Sequence, residues 1–315
     1  MKCKNVFCAK NVERLKLMCG IVGLFIKNPK LEKQLGALLS PMLVEMTERG
    51  PDSAGIAIYG ESSPENMTRM TVLSTDPDYA WDKFSKEVKE VFGESSEAEL
   101  NSNHAVLKAK TDAKTLQGWL HHNHPDLYMT SSGTNITIYK EQGLPKDVIK
   151  RFGVESMQGT HALGHTRMAT ESAVTTSASH PFSTGEDLCL VHNGSLSNHN
   201  RLRRKLQQEG VEFQTDNDSE VAAGYLTWKL QNGASLDEAL EAGFDDLDGF
   251  YTFAIGTHDG FAVVRDPIGA KPAILAETDD WVAMSSEFRS IACLPGVKNA
   301  QSWEPEPAKI YSWQR

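Results

Sequence analysis

Met18-Cys19-Gly20-Ile21-Val22-Gly23 decides the reading of this chain: a start-like methionine, then cysteine, then a short apolar strand. A cysteine that becomes the first residue of a mature chain carries a thiol and a free α-amine. Such an amine titrates at about 7.7–8.0, so it can act as a base near neutral pH and place nucleophile and base on one residue. The competing reading of the hexapeptide is a buried cysteine opening a core strand. Residues 1–17 carry five Lys or Arg against one acid, Glu13, with neither the apolar stretch nor the small-residue cleavage pattern of a secretory signal. Residues 1–18 are therefore expected to be a propeptide or a mis-assigned start, because the amine of Cys19 has no basicity while it remains an amide. Cys3 and Cys8 lack a second pair that would complete a zinc site.

Outward from Cys19, several segments follow in a fixed order. They are Arg49-Gly50-Pro51-Asp52-Ser53-Ala54-Gly55, Gly164-His165-Thr166-Arg167-Met168-Ala169-Thr170, Val191-His192-Asn193-Gly194-Ser195 and Asp218-Ser219-Glu220. Further on come the 248–255 run, Arg265-Asp266-Pro267-Ile268-Gly269 and Ser285-Ser286-Glu287. This series resembles the class II glutamine amidotransferases, whose glutaminase domain is an N-terminal-nucleophile hydrolase. The resemblance runs from Cys19 nearly to the C-terminus. It implies an α+β fold, the four-layer αββα sandwich, in one domain over 19–315.

The resemblance also implies site roles. Cys19 is expected to be the nucleophile and to form a thioester, with Asn193 and Gly194 as oxyanion donors. Arg167 is expected to grip the α-carboxylate of L-glutamine, which a guanidinium can do bidentately. Asp218 is expected to bind the α-ammonium. Arg49 and Gly50 shape the nucleophile pocket, and Thr170 and His192 complete the substrate-binding set. Taken in isolation, Asn193-Gly194 reads as a hairpin turn, Asp218 as a helix N-cap, and 49–52 as a helix stop and turn. The chain departs from the family pattern at Glu48, where many members have histidine, at Met168, and at Glu171. These departures argue against the hexosamine- and purine-synthesising branches.

The longer runs 165–176 and 192–200 resemble the stand-alone subunits of glutamate-synthase type, closest to the amidotransferase subunit of N-methylglutamate synthase. That likeness implies partner subunits related to the FMN-bearing and β-helical domains of glutamate synthase. Flavin and any iron–sulfur cluster would then sit on those partners, with no cofactor in this chain. Two other functions stay open: an ammonia donor to a different synthetase, and a non-catalytic glutamine-binding regulatory subunit.

Composition agrees with a globular protein: 315 residues, 40% hydrophobic and 23% charged. A formal charge of −10 argues against nucleic-acid binding. No run approaches the ~18 apolar residues of a membrane span. Five scattered cysteines argue against a disulfide framework, so a cytoplasmic location is expected. Strands are expected at 20–25, 54–59, 135–139, 250–256, 260–265, 273–276 and 281–284, with core character returning at 161–169 and 188–191. Helices are expected at 31–48, broken near Pro41, and at 78–92, 198–208 and 218–230. Residues 60–159 read as an inserted elaboration, within which His121, His122 and His124 are expected on a solvated loop without metal.

Overall fold

The structure is a computed structural model that describes residues 19–168 and 175–315. Strand β1, Gly20–Ile26, is buried at every position. Alternate side chains along it enter different cores. Val22, Leu24 and Ile26 face a helical layer, while Ile21 and Phe25 face a second sheet. A strand covered on both faces has no polar side to show, so its sequence is continuously apolar.

β1 lies within a seven-stranded antiparallel sheet ordered β15-β13-β14-β1-β8-β2-β7. The other members are β2 (Ser53–Tyr59), β7 (Ile136–Gln142), β8 (His161–Arg167), β13 (Ile274–Glu277), β14 (Trp281–Ser285) and β15 (Gln301–Trp303). The second sheet runs β16-β12-β11-β10-β9. It is built from β9 (Phe182–Gly185), β10 (Leu188–Leu196), β11 (Gly249–Gly256), β12 (Gly260–Arg265) and β16 (Ile310–Gln314). Ile21, Phe25, Leu163 and Met284 of the first sheet meet Val191, Ala254, Phe261 and Val263 of the second. At Gly23 even a methyl group would stand 2.7 Å from the Phe261 ring.

Helices cover both outer faces. α1 (Leu35–Val44), with α4 (Pro145–Phe152) and α8 (Phe288–Ile291), covers the first sheet. On the second sheet lie α5 (His199–Gln208), α6 (Asp218–Gln231) and α7 (Leu236–Asp246). The result is the four-layer αββα sandwich. Pro41 does not break α1, which runs through it and ends three residues later. Leu35, Leu39, Met42 and Leu43 all contribute to the core on that side, and this packing outweighs the lost backbone bond.

The 60–159 stretch divides in two. A separate four-stranded sheet, β4-β5-β3-β6, is formed by β3 (Thr68–Ser74), β4 (Glu97–Asn101), β5 (His104–Ala109) and β6 (Leu127–Gly133). It has its own small core with α2 (Trp81–Phe92) and α3 (Ala113–Asn123). Residues 136–152 instead belong to the sandwich, because β7 pairs with β2 along its whole length. His121 and His122 end α3 rather than occupying a loop, and His124 Nδ1 bonds Tyr79 while its Nε2 lies 3.1 Å from Glu87. Among the described residues no metal-binding cluster is present, and no helix is long and apolar enough to cross a membrane.

Candidate active site

Cys19 stands at the entry to β1. The β1–β8 register sets Gly20 opposite Thr166, which brings Cys19 to the Arg167 end of β8. There the Met168 backbone N–H hydrogen-bonds the cysteine, and Arg167, Lys271 and Arg49 add positive potential. Burial is the larger effect and pushes the thiol above its ordinary value, while these groups pull the other way.

The turn after α1 supplies the next two residues. A Cβ on Gly50 would stand 2.5 Å from the Thr166 carbonyl carbon and 2.6 Å from the Arg167 nitrogen, so only glycine passes this close to β8. Arg49 is buried, and its Nε donates to the Cys19 carbonyl at 3.1 Å. Its Nη1 pairs with Glu287 at 2.7 Å. Glu287 also pairs with Arg289 at 2.8 Å, and Arg289 reaches Glu48 at 3.0 Å. Glu48 thus closes a charge chain that ends on the Cys19 backbone. Ser286 secures the other side, its hydroxyl accepting from the Ile21 N–H at 3.0 Å.

The second sheet brings Asn193. Its Nδ2 donates to the Cys19 carbonyl at 3.2 Å. The hairpin reading of Asn193-Gly194 is corrected here: both lie inside β10, paired with Thr252 and Tyr251 of β11. Gly194 has φ +152°, and a Cβ there would stand 1.9 Å from the Phe250 carbonyl oxygen and 2.7 Å from the His192 ring. Thr252 donates to the Lys271 carbonyl at 3.3 Å, which ties the Lys271 loop to this same edge.

Alternation along β10 turns His192 the other way. Cys189 and Val191 face the first sheet, whereas Leu190 and Leu196 face the helices. His192 shares the helix-facing side. It is buried, and its Nδ1 is 2.8 Å from the Ser219 hydroxyl, which also meets His180 Nε2 at 2.8 Å. Burial drives His192 down to about 4, so the ring is neutral. His192 is therefore not brought to Cys19; it supports the strand that carries Asn193.

Asp218 opens α6 but is not its cap, because Asn217 accepts from the Ser219 N–H at 2.9 Å. The Asp218 carboxylate accepts from the Leu196 N–H at 2.8 Å and stays partly exposed next to β10. Arg167 ends β8, is buried, and donates from Nη1 to the Ala178 carbonyl at 3.2 Å. Thr170 lies outside the described residues. Cys19, Arg49, Gly50, Arg167, Asn193 and Gly194 are thus gathered at one end of the two sheets. Sequence reasoning gave no role to Ser286, Glu287, Lys271 or the Met168 N–H. The Ser285-Ser286-Glu287 motif was the one available signal.

Comparison with known proteins bears on this arrangement. Residues 165–293 match the glutamine amidotransferase domain family. The chain is 54% identical over 297 residues to the glutamine amidotransferase-like protein GlxB of Rhizobium meliloti, covering 94% of this chain and 98% of that one. It is 32% identical over 307 residues to a putative glutamine amidotransferase of Methanothermobacter thermautotrophicus, covering 93% of this chain and 99% of that protein. The fold is similar to that of the glutamine phosphoribosylpyrophosphate amidotransferase from B. subtilis, with a TM-score of 0.59 and 20% identity over 94% of this chain. This chain spans 49% of that enzyme's length, and the likeness concerns the fold alone. The chain belongs to the class II glutamine amidotransferases, enzymes with the N-terminal-nucleophile hydrolase fold.

Proposed function

We propose that the chain hydrolyses L-glutamine to glutamate and ammonia through a thioester on Cys19 and hands the ammonia to a partner synthase. The chemistry requires cleavage between Met18 and Cys19, which frees the α-amine. That amine takes the thiol proton, and the sulfur attacks the side-chain carboxamide carbon. The tetrahedral oxyanion forms beside the Asn193 amide and the Gly194 N–H. The protonated amine then delivers its proton to the departing nitrogen, and ammonia leaves. Water attacks the thioester, with the amine again as base, to give glutamate and the free thiol.

Arg167 pairs with the substrate α-carboxylate and Asp218 with its α-ammonium, while Thr170 joins this set. Arg49 and Gly50 shape the pocket around Cys19. The observation that carries the reading is the meeting of Asn193 Nδ2 and Arg49 Nε on the Cys19 carbonyl, at 3.2 and 3.1 Å. It supports a nucleophile whose own backbone is fixed within reach of the oxyanion donor.

For the acceptor, the proposed partners are an FMN-binding subunit and a β-helical subunit of glutamate synthase or N-methylglutamate synthase type. Flavin and any iron–sulfur cluster would be theirs. Cys19→Ala in the assembled complex tests the assignment: glutamine-dependent turnover is expected to vanish while ammonia-dependent turnover persists. Equal loss of both would contradict it. Co-purification with a flavoprotein supports the glutamate-synthase-type acceptor, and co-purification with an unrelated synthetase overturns that part.

A further inference from the structure

Lys140, on β7, takes part in no step above, yet it is one of the most enclosed charges in the protein, only 4% exposed. Its Nζ donates to the Ser177 carbonyl at 2.9 Å and to the Ser179 carbonyl at 3.0 Å, and it lies 4.9 Å over the Phe182 ring. The carbonyl between those two, Ala178, accepts from Arg167 Nη1 at 3.2 Å. Three successive carbonyls therefore end on two buried cations, one from β7 and one from β8.

The remainder of this segment is fixed as well. Thr176 donates to Glu141 at 2.6 Å, and Ser179 to the Ser53 hydroxyl at 3.0 Å. A Cβ on Gly55 would come within 2.0 Å of the His180 carbonyl oxygen, so the segment lies flat on β2. Among the described residues no carboxylate forms an ion pair with Lys140. Glu220, the acid whose charge acts on it, is spent on the Gln214 and Thr215 N–H groups and the Thr215 hydroxyl. The space between them is about 10 Å³, enough for one water at most. An unpaired buried ammonium is costly, and an apolar side chain would fill the site more cheaply. What the ammonium supplies is alignment of the carbonyls.

We propose that Lys140 is a positioning residue for glutamine binding: by holding the Ser177 and Ser179 carbonyls it fixes the Ala178 carbonyl against Arg167 and so aims the guanidinium at the substrate carboxylate. The inference rests on Arg167 being the carboxylate ligand. Burial lowers the Lys140 ammonium to about 8, opposed by Glu220. Among the described residues, its charge also acts on His180 in the held segment and His104 on β5, while Arg167 on β8 holds the carbonyl between the two that Lys140 holds. Both histidines are kept neutral by burial. Glu141 points to the opposite face of β7. Above about pH 8 the clasp therefore loses its charge, and glutamine binding weakens.

The test uses full-length protein in its complex and follows glutaminase kinetics against pH. For Lys140→Met, KM for glutamine is expected to rise about 10- to 100-fold, the loss typical of charged hydrogen bonds, with kcat within about threefold. Lys140→Arg, which stays charged, should restore most of the KM and remove the KM rise expected of wild type between about pH 7 and 9. An unchanged KM in Lys140→Met overturns the proposal, as does a fall confined to kcat. Should Lys140→Met fail to fold, the arginine variant decides: the same KM rise as wild type refutes the clasp. Absence of glutamine turnover in wild type would instead sink the glutaminase reading itself.

Discussion

Replacing Asn193 by alanine separates the two things this side chain does. Among the described residues its side chain makes one hydrogen bond, from Nδ2 to the Cys19 carbonyl at 3.2 Å. That carbonyl keeps the Arg49 Nε at 3.1 Å, so no acceptor is orphaned. Loss of one neutral hydrogen bond with a satisfied partner costs about 1 kcal/mol, and in a domain this large lowers Tm by roughly 2–4 °C. In the proposed transition state the same amide faces developing negative charge. Removing an oxyanion donor there costs about 2.7–4 kcal/mol, a 10²- to 10³-fold drop in kcat. The assay is coupled glutamate detection at saturating glutamine, with differential scanning fluorimetry alongside and Cys19 alkylation by a small neutral thiol reagent as a control. A large kcat loss with near-normal melting and alkylation is expected. A kcat within about threefold of wild type, or a loss confined to KM, would refute the role assigned to Asn193.

Three further outcomes follow from the packing. Gly194→Ala should cost at least as much activity as Asn193→Ala and about 2–3 kcal/mol of stability, because its Cβ would fall 1.9 Å from the Phe250 oxygen; wild-type urea unfolding would contradict this. Asp187→Ala should lose about 3–5 kcal/mol in the same assay, since the carboxylate accepts from the Thr134, Asn135 and Ile136 N–H groups and leaves all three unpaired; a loss below about 1 kcal/mol would count against it. Stability should also fall on acidification. Burial holds His104, His161 and His165 at about 3 and His192 at about 4, and pushes His180 well down. The unfolded chain binds these protons from about pH 6.5 downward and the folded chain does not, so each group removes up to about 1.4 kcal/mol per pH unit between 6.5 and its folded value. Urea midpoints that stay level from pH 7 to pH 4.5 would contradict that arithmetic.

The sequence carried the sandwich because its strands are covered on both faces. Gly20–Ile26 and the 250–256 run read as apolar without alternation, which matches two sheets sharing a core. Periodicity could not assign faces within such strands. Asn193 and His192 are neighbours in sequence, yet one meets Cys19 and the other meets Ser219 on the far side. Asn193-Gly194 read as a turn because the pairing of β10 with β11 is a long-range fact, absent from any local window. The inserted unit was visible as a change in composition, but the return of β7 to the main sheet was not, since its partner β2 lies about eighty residues earlier. Lys140 was silent for the same reason, and Glu287 stood in a motif without a legible role: each acts through backbone or charge brought from distant elements. Residue type and order could name Cys19, Arg167 and Asn193, while what holds them had to come from the fold.

The whole scheme turns on a free amine at Cys19. Intact-mass and N-terminal analysis of chain taken from complex that turns over glutamine measures this directly. Cys19 is expected as the first residue, with its thiol the group modified by an electrophilic glutamine analogue while Cys189 and Cys293 stay unmodified. Active material that still carries residues 1–18 would contradict the account, for the sulfur would then need a base other than the Cys19 amine.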